Sequence, residues 1–94
     1  MSDHVNGQGL DGVRDAIERL DGKLIMMIAE RTALARAAGR LKVAAGLPVT
    51  DPAREAAVVA RASRLARDAG LPEDEIRTLF WQLLAMSRRA QMEA

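Results

Sequence analysis

Five polar side chains fall on helical faces that are otherwise apolar: Arg31, Lys42, Glu55, Ser87 and Gln91. From Leu10 the chain steps by threes and fours through Val13, Ile17, Leu20, Leu24 and Met27, then Arg31, Leu34, Ala38 and Leu41. That is the stripe of a long helix that buries one seam, and a guanidinium interrupts it. An isolated cation on a buried seam is costly, so an anion must meet it. Lys42 lies about 20° around an ideal helix from Arg31 and roughly 16 Å along it. Two long cationic side chains so placed can grip one small dianion.

Glu55 precedes Val58 and Val59 on the apolar face of a second helix. Ser87 and Gln91, four apart, extend the Phe80–Leu83–Leu84 stripe of a third. Each has an ordinary reading alone: a helix-start charge, a back-bonded hydroxyl, a helix terminus. Together they predict a polar pocket inside a helical bundle, where buried polar groups need partners and ligands are commonly held. The inventory is cations, an amide, a hydroxyl and a carboxylate, with no nucleophile–base pair. It suits binding a multiply charged anion and stabilising charge that develops in place; it does not suit covalent catalysis. A unimolecular rearrangement of a dicarboxylate needs no more than restraint and electrostatics.

Composition excludes several other classes. Aromatic content is 2%, so there is no stacking platform for bases. Fourteen basic and thirteen acidic side chains leave a net charge of +1, which argues against nucleic-acid or membrane partners. Cysteine is absent, and the one histidine, His4, sits in a Gly-rich opening stretch. Metal sites and His-dependent triads therefore lack material. Neither a signal peptide nor a membrane-length apolar run is evident, and the expectation is a soluble cytoplasmic protein.

Three helices must position these residues, and the expected fold class is all-α. Residues 1–9, MSDHVNGQG, are expected to be disordered, and residues 10–94 to form one helical domain. The first helix is predicted from about Leu10 to Ala44, ended by Gly46-Leu47-Pro48, with Gly22 and Gly39 marking weak points or close helix contacts. Asp51-Pro52 reads as an N-cap with proline at the first helical position. The second helix should bury Val58, Val59, Ala62, Leu65 and Ala66 and stop at Gly70. Pro72-Glu73-Asp74-Glu75 opens the third, whose face carries Ile76, Leu79, Phe80, Leu83 and Leu84. The first helix is near 50 Å long and the others roughly 27–30 Å. The shorter pair cannot cover the longer one, so a twofold homodimer with antiparallel long helices is expected.

With these residues in hand, the chain resembles the all-helical (AroQ-class) chorismate mutases over residues 10–91. LDGVRDAIERLDGKL carries Arg14 and Asp21, AERTALARAAGRLK carries Arg31 and Lys42, PVTDPAREAAVV carries Asp51, Arg54 and Glu55, and LFWQLLAMSRRAQ carries Ser87 and Gln91. The resemblance implies an intertwined homodimer whose two sites each take Arg14 from the other subunit. Spacing agrees, since Arg14 lies roughly 25 Å and about 100° from Arg31 on an ideal helix. By the resemblance, Arg31 and the partner's Arg14 hold the two substrate carboxylates, with Ser87 helping to position one. Lys42 and Gln91 donate to the ether oxygen as its bond breaks. Glu55, with the backbone near Asp51 and Arg54, holds the ring hydroxyl. Chorismate would become prephenate, with no cofactor and no metal, as in aromatic amino acid biosynthesis.

Two departures from the family pattern bear on substrate. Ala38 and Arg88 stand at ring-lining positions that are usually larger or apolar. Arg88 follows Leu84 by one turn, so it either reaches the pocket rim or is solvated. Readings that stay open are a mutase of 4-amino-4-deoxychorismate, an isochorismate-pyruvate lyase, and a non-catalytic helical dimerisation or regulatory module. Retention of Glu55 after Arg54 favours the mutase over the lyase. A regulatory partner enzyme is also compatible with the sequence.

Overall fold

A computed structural model describes residues 9–93. It contains three helices in chain order, α1 (Gly9–Ala44), α2 (Pro52–Asp68) and α3 (Glu73–Met92), and no strand among the described residues. The expectation of disorder over residues 1–8 and the reading of His4 lie outside the described residues, and Gly9 already belongs to α1. The chain divides between Arg31 and Thr32 into two units.

Local chemistry sets the helix ends. After α1 the Leu47 N–H reaches the Lys42 carbonyl at 2.8 Å and the Gly46 N–H reaches Val43 at 3.1 Å. This paired closure needs a left-handed residue, and Gly46 supplies it with φ +69°. The same closure ends α2, where Leu71 and Gly70 donate to Ala66 and Arg67 and Gly70 has φ +74°. Asp51 caps α2 by accepting from the Arg54 N–H at 3.1 Å, with Pro52 beginning the helix. No side chain caps α3, whose first turn instead carries Glu73, Asp74 and Glu75.

In the second unit α2 packs on α3. The buried positions are small: Ala62, Ser63 and Ala66 with Val59 on α2, and Ser87 and Ala90 with Leu84 on α3. The seam therefore runs along Ala and Ser, and Leu65 and Leu79, expected inside, lie about half exposed on its flanks. Leu10, Ile17, Leu20, Leu24 and Met27 of α1 are each more than half exposed.

A polar brace spans the α2–α3 turn. The Ser63 hydroxyl donates to Glu73 Oε1 at 2.8 Å and accepts from Arg77 Nη1 at 2.7 Å, so this buried oxygen is satisfied both ways. Arg67 Nε donates to Glu73 Oε2 at 3.0 Å, and Arg77 also pairs with Asp74. The Arg67 guanidinium, helped by the Ser63 hydroxyl, holds the Glu73 carboxyl well below its usual range, at about 2. A depressed carboxyl stabilises the fold fully above the unfolded value of 4.5 and loses that contribution as pH falls toward 2. Glu73→Gln should therefore melt below the native chain near neutral pH, with the gap closing in melts taken below pH 4.5. A gap independent of pH would exclude this linkage.

Glycine 39 fixes how the end of α1 meets the end of α3. A Cβ there would lie 2.8 Å from the Gln91 Cα and 2.9 Å from its carbonyl carbon, backbone atoms that cannot swing aside. Gly39→Ala should cost about 1–2 kcal/mol even after the gain in helix propensity. Gly22, with nothing within 4 Å of a built Cβ, is the control: Gly22→Ala should stabilise by up to about 1 kcal/mol. Thermal melts moving the same way for both variants would contradict the close approach at Gly39.

Candidate active site

The Gly39 approach brings Lys42, one turn further along α1, against the last turns of α3. Lys42 Nζ donates to Gln91 Oε1 at 2.6 Å and to the Val49 carbonyl at 3.0 Å. An ammonium only donates, so the amide atom facing it must be oxygen. Gln91 is thereby oriented with its NH₂ group turned away from Lys42. Two of the three Lys42 protons have partners inside the protein. The pair thus presents N–H donors from a cation and from an amide that does not titrate. That combination suits an oxygen gaining negative charge.

Glu55 sits in the first turn of α2 behind the Asp51 cap. Its carboxylate accepts from Arg88 Nη1 of α3 at 2.5 Å, with side-chain exposures of 14% for Glu55 and 35% for Arg88. Of the two readings of Arg88, the structure thus selects the inward one. Its second Glu55 oxygen remains able to accept. Ser87 is buried and donates to the Leu83 carbonyl at 3.0 Å, the back-bonded geometry open to a helical serine.

The residues singled out in the sequence therefore divide. Within the second unit Lys42 and Gln91 bond directly, Glu55 lies across from α3, and Ser87 and Gln91 sit one turn apart on it. Asp51 accepts from the Arg54 backbone N–H, and the Arg54 side chain is exposed. In the first unit Arg14 is exposed on α1 and Arg31 is half-buried. Two contributors escaped the sequence reading: the Val49 carbonyl, which no residue type announces, and the Arg88–Glu55 bond. A signal for the second was present, because Arg88 stands three residues before Gln91 on the same helix.

No group of carboxylate or imidazole side chains among the described residues could hold a metal ion. No described helix is long and apolar enough to cross a membrane.

Comparison with known proteins points the same way as the geometry. A chorismate mutase of Methanocaldococcus jannaschii is 28% identical over 81 residues, covering 86% of this chain and 82% of that protein. A T-protein of Enterobacter agglomerans is 32% identical over 78 residues, 83% of this chain and 21% of that protein. A 3-dehydroquinate dehydratase of Pyrobaculum aerophilum is 44% identical over 57 residues, 61% of this chain and 19% of that protein. The chain thus spans about a fifth of these last two relatives and most of the first. The family model for chorismate mutase type II matches residues 13–92, nearly the whole of the three helices and every residue of the Lys42–Gln91–Glu55 group. On that match the chain belongs to the chorismate mutase type II family.

Proposed function

We propose that the protein converts chorismate to prephenate, an intramolecular rearrangement in which a C–O ether bond breaks as a C–C bond forms. The observation that carries this reading is the Lys42–Gln91 contact at 2.6 Å, which brings a lysine ammonium of α1 beside an amide of α3; we assign both as donors to the ether oxygen. The ether oxygen gains charge only as its bond breaks, so donors fixed beforehand stabilise the transition state more than the substrate. The substrate's own atoms supply all the bonding changes. The residues hold the reacting ends together and meet the developing charge.

The carboxylates need cations, and we assign them to Arg31 and to the partner's Arg14, with Ser87 positioning one of them. Helix spacing supports Arg14 acting in trans, since it lies about 100° from the Arg31 face on an ideal helix. The exposed leucine, isoleucine and methionine seam of α1 supports a homodimer that covers it. Glu55 then receives the ring hydroxyl on its second oxygen. The Asp51 cap and the Arg54 backbone fix the first turn of α2 that carries Glu55. The work would be done in the cytoplasm, without cofactor or metal.

Mixing inactive Arg14→Ala and Lys42→Ala chains tests the shared site. After random exchange half of the dimers are mixed, each with one site holding both intact residues. About a quarter of wild-type activity should return if Arg14 acts in trans. No recovery despite confirmed exchange would place Arg14 in its own subunit's site or outside any site.

Gln91→Glu tests the donor. A carboxylate facing Lys42 would pair with it and offer no proton, so donation would require protonation. Native activity should be nearly flat across neutral pH, and the Gln91→Glu profile should rise toward acid. Full Gln91→Glu activity at pH 8 would remove Gln91 from the reaction. Native inactivity toward chorismate, its 4-amino analogue and isochorismate would leave the dimerisation-module reading.

A further inference from the structure

The Arg88–Glu55 ion pair joins the two elements that frame the proposed hydroxyl position. We propose that Arg88, by pairing with Glu55, makes the site select a ring hydroxyl over an ammonium at that position. The inference rests on the reading of this site as a chorismate-type rearrangement site and specifies its substrate class.

Glu55 alone would be an anionic end-point on the first turn of α2. A largely desolvated carboxylate of that kind attracts an ammonium more strongly than a hydroxyl, because the cation brings a full charge. Arg88 reverses the balance. Its Nη1 lies 2.5 Å from Glu55 Oε1, and the Glu55 side chain is only 14% exposed, so water screens the carboxylate end of the pair only in part. The charge of Glu55 is already matched. A neutral hydroxyl can still donate to the second oxygen and adds no charge. An ammonium in the same place would sit one carboxylate's width from a guanidinium and be repelled by it. It would also surrender its hydration to reach a site whose anion is already paired.

Position on α3 explains why this arginine turns inward. Leu84 and Ser87 are buried and Gln91 bonds Lys42, so Arg88 lies along the edge of the same helical face. Its long stem lets the head reach α2 while remaining 35% exposed. Arg88 acts through Glu55, which makes it a positioning residue for selectivity.

The experiment compares chorismate with its 4-amino-4-deoxy analogue, whose amine is protonated near neutral pH. Calorimetric Kd and kcat/KM are measured with the native chain and with Arg88→Leu, Arg88→Gln and Arg88→Lys. The native chain should favour the hydroxyl compound. Removing the charge, as in Arg88→Leu or Arg88→Gln, should lower the hydroxyl-to-amine preference at least about tenfold, mainly through Kd and KM. Arg88→Lys should restore most of it, because a cation again faces Glu55. Arg88→Gln keeps a polar stem should Arg88→Leu fail to fold. A native preference for the amine, or a ratio unchanged within about twofold in every folded Arg88 variant, would overturn the inference while leaving the mutase reading intact. Binding of both compounds without turnover of either would overturn the mutase reading, and the Kd ratios would still decide the role of Arg88. Binding of neither would overturn both.

Discussion

An ammonium offers three protons and accepts none, and at Lys42 that asymmetry ties local fold to proposed chemistry. One proton fixes the Val49 carbonyl just before α2, and another fixes the side-chain oxygen of Gln91 on α3. The first contact ties the connection that leads into α2 back to α1. The second determines which end of a symmetric-looking amide faces Lys42. Gly39 makes the second feasible, because any side chain there would push the α3 backbone away from α1. Removing the lysine charge would thus disturb an orientation as well as a potential, and effects at Lys42 and Gln91 should not add as independent terms.

Two sets of polar groups in the second unit do different work. Ser63, Arg67, Glu73 and Arg77 close on one another at the α2–α3 turn, where each hydrogen bond has an internal partner. Such a set braces the fold and leaves little to offer a ligand. Around Lys42, Gln91 and Glu55 the pairing is incomplete: one ammonium proton, one amide NH₂ and one carboxylate oxygen remain available. Incomplete satisfaction on otherwise apolar faces is tolerated where a ligand completes it.

Much of this was legible in the sequence because it is decided locally. Asp51-Pro52, Gly46 and Gly70 state helix ends through caps and left-handed turns, and they act within a few residues. The interrupted apolar stripes picked out Lys42, Glu55, Ser87 and Gln91 for the same reason. What escaped depends on other helices. The stripe puts Ala62 and Ala66 inside, but nothing in it shows that Ser63 would join them while Leu65 and Leu79 stay at the edges of the seam. The Glu73 brace resembles ordinary solvated charge in sequence, since its members become neighbours only when the turn closes. Arg88 carries a flexible stem with several rotamers, and only the approach of Glu55 selects one.

The central claim is that Lys42 meets charge that grows in the transition state and does more than hold the substrate. Steady-state kinetics of Lys42→Ala with chorismate, on protein verified as folded and of native oligomeric state, tests it most directly. The account predicts a fall in kcat of about 10²–10³ or more with a smaller change in KM. A variant whose kcat stays within a few fold of native, with the loss confined to KM, would show that Lys42 binds the ground state alone and would contradict the account.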